Sequence, residues 1–498
     1  MGQGLWHIRG RTSVWAIVAY AIFEVVSIHP PASAQTVPAK RNVASAAGLP
    51  EIVFVQTQRL VWGPLARRFP QGSEIVRFRP SATQHPTRLT EDFFAAADPQ
   101  VSFDATRILF SAQKAQGDRW QIWEMNLDGS GKRQITHCRQ DCLRAAYLPA
   151  NEIVLTVEEA TNERSVSYLA VAKTDGSDFQ RITFGSAPFQ FETVLRDGRV
   201  VASAPWPLVG NSASIGTRVF YTLRPDGTAL ESFRCQHQEK STQADAEELT
   251  DGSLLFVRKG LTDKAVAGSL VKIPQGAFDG APLGSRGVAY ESARQLSDDY
   301  LVVAKQTAIS ATAASRFDLY LFHLKTGTLG ERLQASAETS SIQPVPVLPR
   351  PTPKHYWNTL NPESTTGNFI SLNSYLSADD PGGHIASPIA QVRVFALGAA
   401  DGQEHNLGEA PVEADGSFFV KVPANQPVRF ALLDAKGRII REEHSWIWAR
   451  PGEQRGCTGC HGDKSVAPEN HWPQTLRRFD TPTLLGEIDH ASATAQAK

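Results

Sequence analysis

Three segments of this chain end alike: Thr87-Arg88-Leu89-Thr90, Arg133-Gln134-Ile135-Thr136 and Gln180-Arg181-Ile182-Thr183. Their final threonines stand at 90, 136 and 183, spacings of 46 and 47 residues. Asp-Gly pairs precede two of them, at Asp128-Gly129 and Asp175-Gly176, and another follows at Asp226-Gly227. A period of about 40 to 50 residues built of short strands is the mark of a β-propeller, because one such unit makes one four-stranded blade. Within a unit, Arg107-Ile108-Leu109-Phe110-Ser111 precedes a polar loop, and Gln121 to Leu127 alternates with period two before its Asp-Gly turn. Weaker pairs follow at 200–203 with 218–223, 253–257 with 269–273 and 300–304 with 318–322. The expectation is an all-β chain with about six blades over residues 51–340. Five or seven also fit, because a closing blade usually borrows a strand from the other end.

Five prolines between Gln343 and Pro353 predict an extended linker over 341–364. Beyond it, Gln391–Ala396, Gly416–Val422 and Val428–Asp434 read as strands of a small antiparallel β-sandwich over 365–450. Residues 451–498 are left as a short C-terminal segment and tail. At the other end, Arg9 and Arg11, an apolar run from Val14 to Ile28 and the small-residue site Ala32-Ser33-Ala34 make a secretory signal over 1–34. An uncleaved anchor is the alternative. The run is short for a span of about 20 residues, and Glu24 inside it is costly. Residues 35–50 read as a linker. The expectation is therefore an exported, periplasmic or otherwise extracytoplasmic protein with no membrane span in the mature chain. A formal net charge of -1 gives no electrostatic case for nucleic acid as a partner.

The C-terminal segment carries Cys457-Thr458-Gly459-Cys460-His461, the spacing that attaches a c-type haem. Cys457 and Cys460 are placed to bond the two haem vinyl groups, and His461 to ligate the iron from the same side. The competing readings are a Cys457–Cys460 disulfide or half a zinc site. A zinc ribbon would need a second cysteine pair nearby, and none is present. Cys138 and Cys142 flank a short polar turn and are predicted to form a disulfide, which export permits. Cys235 is then unpaired and reads as a small packed apolar residue.

The chain has two methionines, Met1 in the signal and Met125 in a predicted blade strand, so His/Met ligation is disfavoured. Bis-histidine ligation, another ligand such as water, and an open sixth position all remain. His471, ten residues after His461, is the first candidate for a sixth ligand, His444 the second, and His490 the remaining one. Trp446, Trp448 and Trp472 flank the motif, either to cover a haem or to fill the sandwich core. Arg67-Arg68 and Arg477-Arg478 read as solvated faces, the second pair also suiting haem propionates.

With these residues laid out, a family resemblance is visible. The blades resemble TolB-type repeats, with Ser102–Phe110 leading into Asn126-Leu127-Asp128-Gly129-Ser130. The downstream half resembles the middle domain of the hydrazine synthase alpha subunit and its relatives. Gly408–Val412, Asp415–Phe418, Val422–Ala424 and the run from Trp446 to His461 carry that likeness. The resemblance implies a propeller, a sandwich and one covalent haem c, in that order. In hydrazine synthase a tyrosine shortly after the motif holds the haem of this domain. No tyrosine follows His461 here, and the chain ends before a second haem domain. Both departures argue against hydrazine synthesis itself. The function expected is electron transfer or small-molecule redox chemistry at the haem, with a redox or protein partner met through the propeller face. The alternative is a propeller-based binding module with the haem as sensor or structural element.

Overall fold

A computed structural model of the chain describes residues 48–486 apart from 59, 61–63, 81–85, 161–164, 209–216, 234–240, 261–265, 276, 278, 309–314, 378–379, 399–401 and 460–470. The expected signal, most of the linker after it, Cys235, Cys460, His461 and His490 lie outside the described residues. Among the described residues no helix is long and apolar enough to cross a membrane.

Six blades follow one another around an axis. Blade 2 is Ala95–Val101, Arg107–Gln113, Gln121–Asn126 and Arg133–Gln134, paired in that order. Blades 3 to 6 repeat the pattern, starting at Asp141–Leu148, Gln190–Val194, Ser241–Glu248 and Tyr290–Gln295. Blade 1 takes Ile52–Thr57, Glu74–Phe78 and Thr87–Arg88 from the start of the propeller, and its innermost strand, Ser340–Pro346, from the end. This corrects the expected boundary. The proline-rich stretch does not begin as linker, since Pro344 and Pro346 lie in the closing strand.

The sequence repeat has a packing cause. The repeated threonine hydroxyl accepts the backbone N–H of the neighbouring strand: Thr90 from Ile75, Thr136 from Ile122 and Thr183 from Leu169, at 2.8–2.9 Å. All three hydroxyls are buried, so each satisfies a donor that would otherwise cost about 1–3 kcal/mol. The preceding Leu89, Ile135 and Ile182 are buried too, and each meets the Asp-Gly turn of the next blade. A Cβ on Gly176 would lie 2.3 Å from the Ile135 carbonyl oxygen, and one on Gly227 would lie 2.5 Å from that of Ile182. Both glycines have φ near +85° (88° and 82°), so the turn needs glycine for its backbone as well as for its space.

The inner strands share a second repeat. Each carries a β-bulge at a polar residue: Gln343, Asp98, Arg144, Glu192, Asp245 and Glu291 for blades 1 to 6. Hydrogen bonds join neighbours around the axis. The Gln343 side chain bonds the Asp98 N–H and carboxylate, and Ser111 relays from Asp98 to the Arg144 N–H. Arg144 donates to Glu192, which accepts the Asp245 N–H at 2.7 Å. Asp245 accepts the Ala293 N–H, and Glu291 with Ser292 accepts that of Gln343. Arg294 grips Asp245 with two bonds, and Arg68 pairs with Glu291. Arg68 is thus part of this buried network and not the solvated face expected of it. Met125 lies in the apolar core around blades 1 and 2, far inside the propeller fold.

The second domain is a sandwich of two four-stranded sheets. One orders Gln454–Cys457, Thr366–Ser371, Phe418–Pro423 and Thr483–Leu484; the other orders Glu404–Pro411, Gln391–Leu397, Val428–Leu433 and Ile439–Glu442. Phe369, Val392, Val394, Val420, Val422 and Leu432 fill the space between them. Two expectations are corrected. The sandwich is not purely antiparallel, because both edge strands of the first sheet pair in parallel. Nor does it end at 450, because those two edge strands come from the segment expected to stand apart from it.

Candidate functional site

The strand Gln454–Cys457 runs parallel to Thr366–Ser371, with Cys457 beside Ser371. Ser371 also pairs with Phe418, whose ring lies in the core, and paired residues share a face of a sheet. The Cys457 side chain therefore faces inward at the end of the sandwich, half-buried, with its thiol free. Burial pushes this thiol up from its ordinary range, and the Glu443 charge adds to the effect against Arg455. Two residues on, a Cβ on Gly459 would lie 2.7 Å from both Cβ and O of Leu376, so the turn fits only without a side chain.

The residues just upstream fix this strand to the propeller. Trp448 is fully buried among apolar residues of blades 3 and 4, edge-on to Phe184 and Phe189 at 5.9 and 5.7 Å. Its Nε1 donates to the Gly227 carbonyl. Arg450 donates through Nε to the Asp226 carbonyl, and Glu453 accepts the Ala229 N–H. Arg455 donates to the carbonyls of Trp448 and Leu230. Trp448 therefore fills the joint between the domains. Trp446 is half-buried under the Arg429 guanidinium, and Trp472 is 64% exposed.

The same end of the sandwich gathers histidines from three segments. His471 Nε2 lies 3.1 Å from Asp415 Oδ2. The Asp415-Gly416 turn packs on Asn373 to Tyr375, and Asn373 and Leu376 pack on Gly459. His384 bridges to Leu376 and stacks on Tyr375 at 5.3 Å with the rings parallel. His444 is exposed and directly follows Glu443, whose charge acts on Cys457. Met125, buried in its blade, is not brought here. Arg478 bonds Glu413 and Asp480, while Arg477 is exposed. His384 and Tyr375 were not singled out in the sequence, and Asp415 entered only within the stretch Asp415–Phe418 that carries the family likeness. His384 comes near only because Thr366–Ser371 and Gln454–Cys457 are neighbouring strands, and no local motif marks it.

Cys138 and Cys142 form a disulfide, with Cα atoms 6.6 Å apart. Among the described residues no group of three or more His, Cys, Asp or Glu could hold a metal ion.

Of the motif, Cys457 to Gly459 are among the described residues, and the unpaired Cys457 thiol at the end of its strand could form one thioether to a haem. The glycine between the cysteines is required by close approach to Leu376.

Residues 376–462 match the hydrazine synthase alpha subunit middle domain. Hydrazine synthase subunit alpha of Kuenenia stuttgartiensis is 36% identical over 107 residues, which are 21% of this chain and 13% of that protein. The sequence match thus spans a small part of that relative. The solved structure of Kuenenia stuttgartiensis hydrazine synthase superposes with a TM-score of 0.75 at 20% identity, over 87% of this chain and 73% of that one. TolB from Acinetobacter baumannii aligns with a TM-score of 0.42 at 12% identity, over 59% of this chain and 66% of that one. Residues 376–462 are thus similar to the hydrazine synthase alpha subunit middle domain, and the chain as a whole shares the fold of the solved hydrazine synthase.

Proposed function

We propose that this chain is an exported monohaem c-type protein that acts in electron transfer or small-molecule redox chemistry. The observation that carries the reading is the position of Cys457-Thr458-Gly459-Cys460-His461, which begins at the end of a sandwich strand bolted to the propeller by Trp448, Arg450 and Arg455. Cys457 and Cys460 would hold the haem covalently, and His461 would be its proximal ligand. Such a group supplies one-electron transfer or a binding site for a small ligand. The chain's own part is to fix the start of the motif against the propeller, near the exposed Trp472 and Phe479. The Cys138–Cys142 disulfide supports an oxidising compartment. A redox or protein partner would meet the chain through the propeller face.

The test is expression with the c-type haem maturation machinery. One covalent haem per chain is expected, read from the pyridine haemochrome spectrum and the mass. Cys457→Ala should leave a single thioether and a shifted band. A folded, exported chain that gains no haem mass overturns the reading.

A further inference from the structure

We infer that the propeller axis binds one small carboxylate, of the size of formate, on the guanidinium of Arg144, at a site independent of the haem reading above. The bulges of the inner strands hold Asp98, Arg144, Asp245 and Gln343 at φ between 50° and 55°. A bulge re-aims the side chain it carries, and these converge on the axis. With Glu192 and Arg294 they line a cavity that has room for about two or three water-sized groups.

The acceptors around this cavity are already engaged. Asp98 accepts from the Gln343 amide and the Ser111 hydroxyl. Glu192 accepts the Ser203 hydroxyl and the Asp245 N–H. Asp245 accepts two bonds from Arg294 and the Ala293 N–H. The donors of Arg144 are not. Its side chain is 12% exposed, and its one bond runs from Nη1 to Glu192 at 3.4 Å, long for a charged pair. Among the described residues its Nε–H and Nη2–H groups reach no acceptor. Donors left unmet in a buried site are costly. That edge of a guanidinium is a planar fork, and it matches the two oxygens of a carboxylate.

The charges agree. Arg144, Arg218, Arg294 and Lys259 act on one another and on Asp98, Glu192 and Asp245, so the cations exceed the carboxylates by one. At the two ends Arg68 offsets Glu291, and Arg350 offsets Glu247. Burial pushes Lys259 down to about 8 and Arg218 down to about 10, although Glu291 and Asp245 support the first and Glu192 the second. A ligand with a single negative charge balances the set.

The experiment follows thermal unfolding of the full chain as sodium formate replaces sodium chloride at constant ionic strength. A ligand that binds the native state alone raises the midpoint. The wild type should show a saturating rise. Arg144→Lys keeps a positive charge beside Glu192 but loses the fork, and should need at least about tenfold more formate for the same rise. Lys259→Met removes the cation in excess and should weaken the response several-fold. It carries the decision if Arg144→Lys does not fold. Absence of a saturating rise in the wild type overturns the inference, and the cavity then holds solvent. A folded Arg144→Lys that responds to formate as the wild type does overturns it too, as does an unchanged Lys259→Met where Arg144→Lys fails to fold.

Discussion

Blade meets blade and propeller meets sandwich by different means. Between blades, a buried Leu or Ile touches a glycine turn, and the contact repeats with the same residue types. Between the domains, one fully buried Trp448 is surrounded by unrelated groups: Phe184, Phe189, the Gly227 carbonyl, Arg450 and Arg455. The first joint is solved by repetition and spreads its stability over many sites. The second is solved once, and concentrates it in a ten-residue run, 446–455. A chain can lose part of the first and stay a propeller. Losing the second would free the motif from the disc.

This contrast can be broken at the domain joint with the largest effect. Trp448→Ala should cost about 4 kcal/mol, the usual scale for removing a buried aromatic side chain. Denaturant unfolding followed by calorimetry should then show two separated transitions, one per domain. A single transition shifted by less than about 1 kcal/mol would mean that the joint does not depend on this residue. At the blade joint, Gly176→Ala places a Cβ 2.3 Å from the Ile135 carbonyl on a backbone at φ 88°. About 3 kcal/mol is expected from strain and overpacking together, with the unfolding transition remaining as cooperative as in the wild type. Splitting of that transition would show that blades are less mutually dependent than their contacts imply.

The smallest effect concerns pH. Burial raises the Glu247 carboxyl to about 7, against the nearby Arg294 and the Gln295 N–H it accepts. The Asp245 charge adds to the rise, and Arg350 opposes it. A carboxyl raised in the folded state binds its proton when the unfolded chain has already released it. Its contribution is therefore full below the model value of 4.5 and is lost as pH rises to about 7. Glu247→Gln should flatten the fall in stability across that window, measured as urea midpoints at pH 4.5, 6 and 7.5. An unchanged slope would assign the pH dependence to other groups.

The outline of the propeller was legible because its repeat is chemical. Thr90, Thr136 and Thr183 perform the same hydrogen bond, so they recur at the same interval. The axial ring recurs as well, with Gln343, Asp98, Arg144, Glu192, Asp245 and Glu291 spaced by 46 to 53 residues. It escaped notice because one position is basic, four are acidic and one is neutral, and only the bulge unites them. The closing strand was misread for a simple reason: prolines suggest linker, yet Pro344 falls where a bulge already breaks the ladder and Pro346 is the last residue of the strand. At the motif end, spacing makes Cys457 a candidate and proximity in sequence makes His471 one. Asp415 could not be found in that way. It is 56 residues from its histidine, and only the pairing of Phe418–Pro423 within the sandwich brings the two together.

The closing of blade 1 sets a timetable. Ile52 pairs with Pro346, so the disc stays open until nearly 300 residues of later chain have emerged. Growth from the N-terminus makes Cys138 and Cys142 available together, four positions apart, long before Cys457 appears. The early pair can close on itself while no C-terminal cysteine exists to compete. The motif then arrives last, at a disc whose blade 4 already offers the Asp226–Leu230 turn on which it docks.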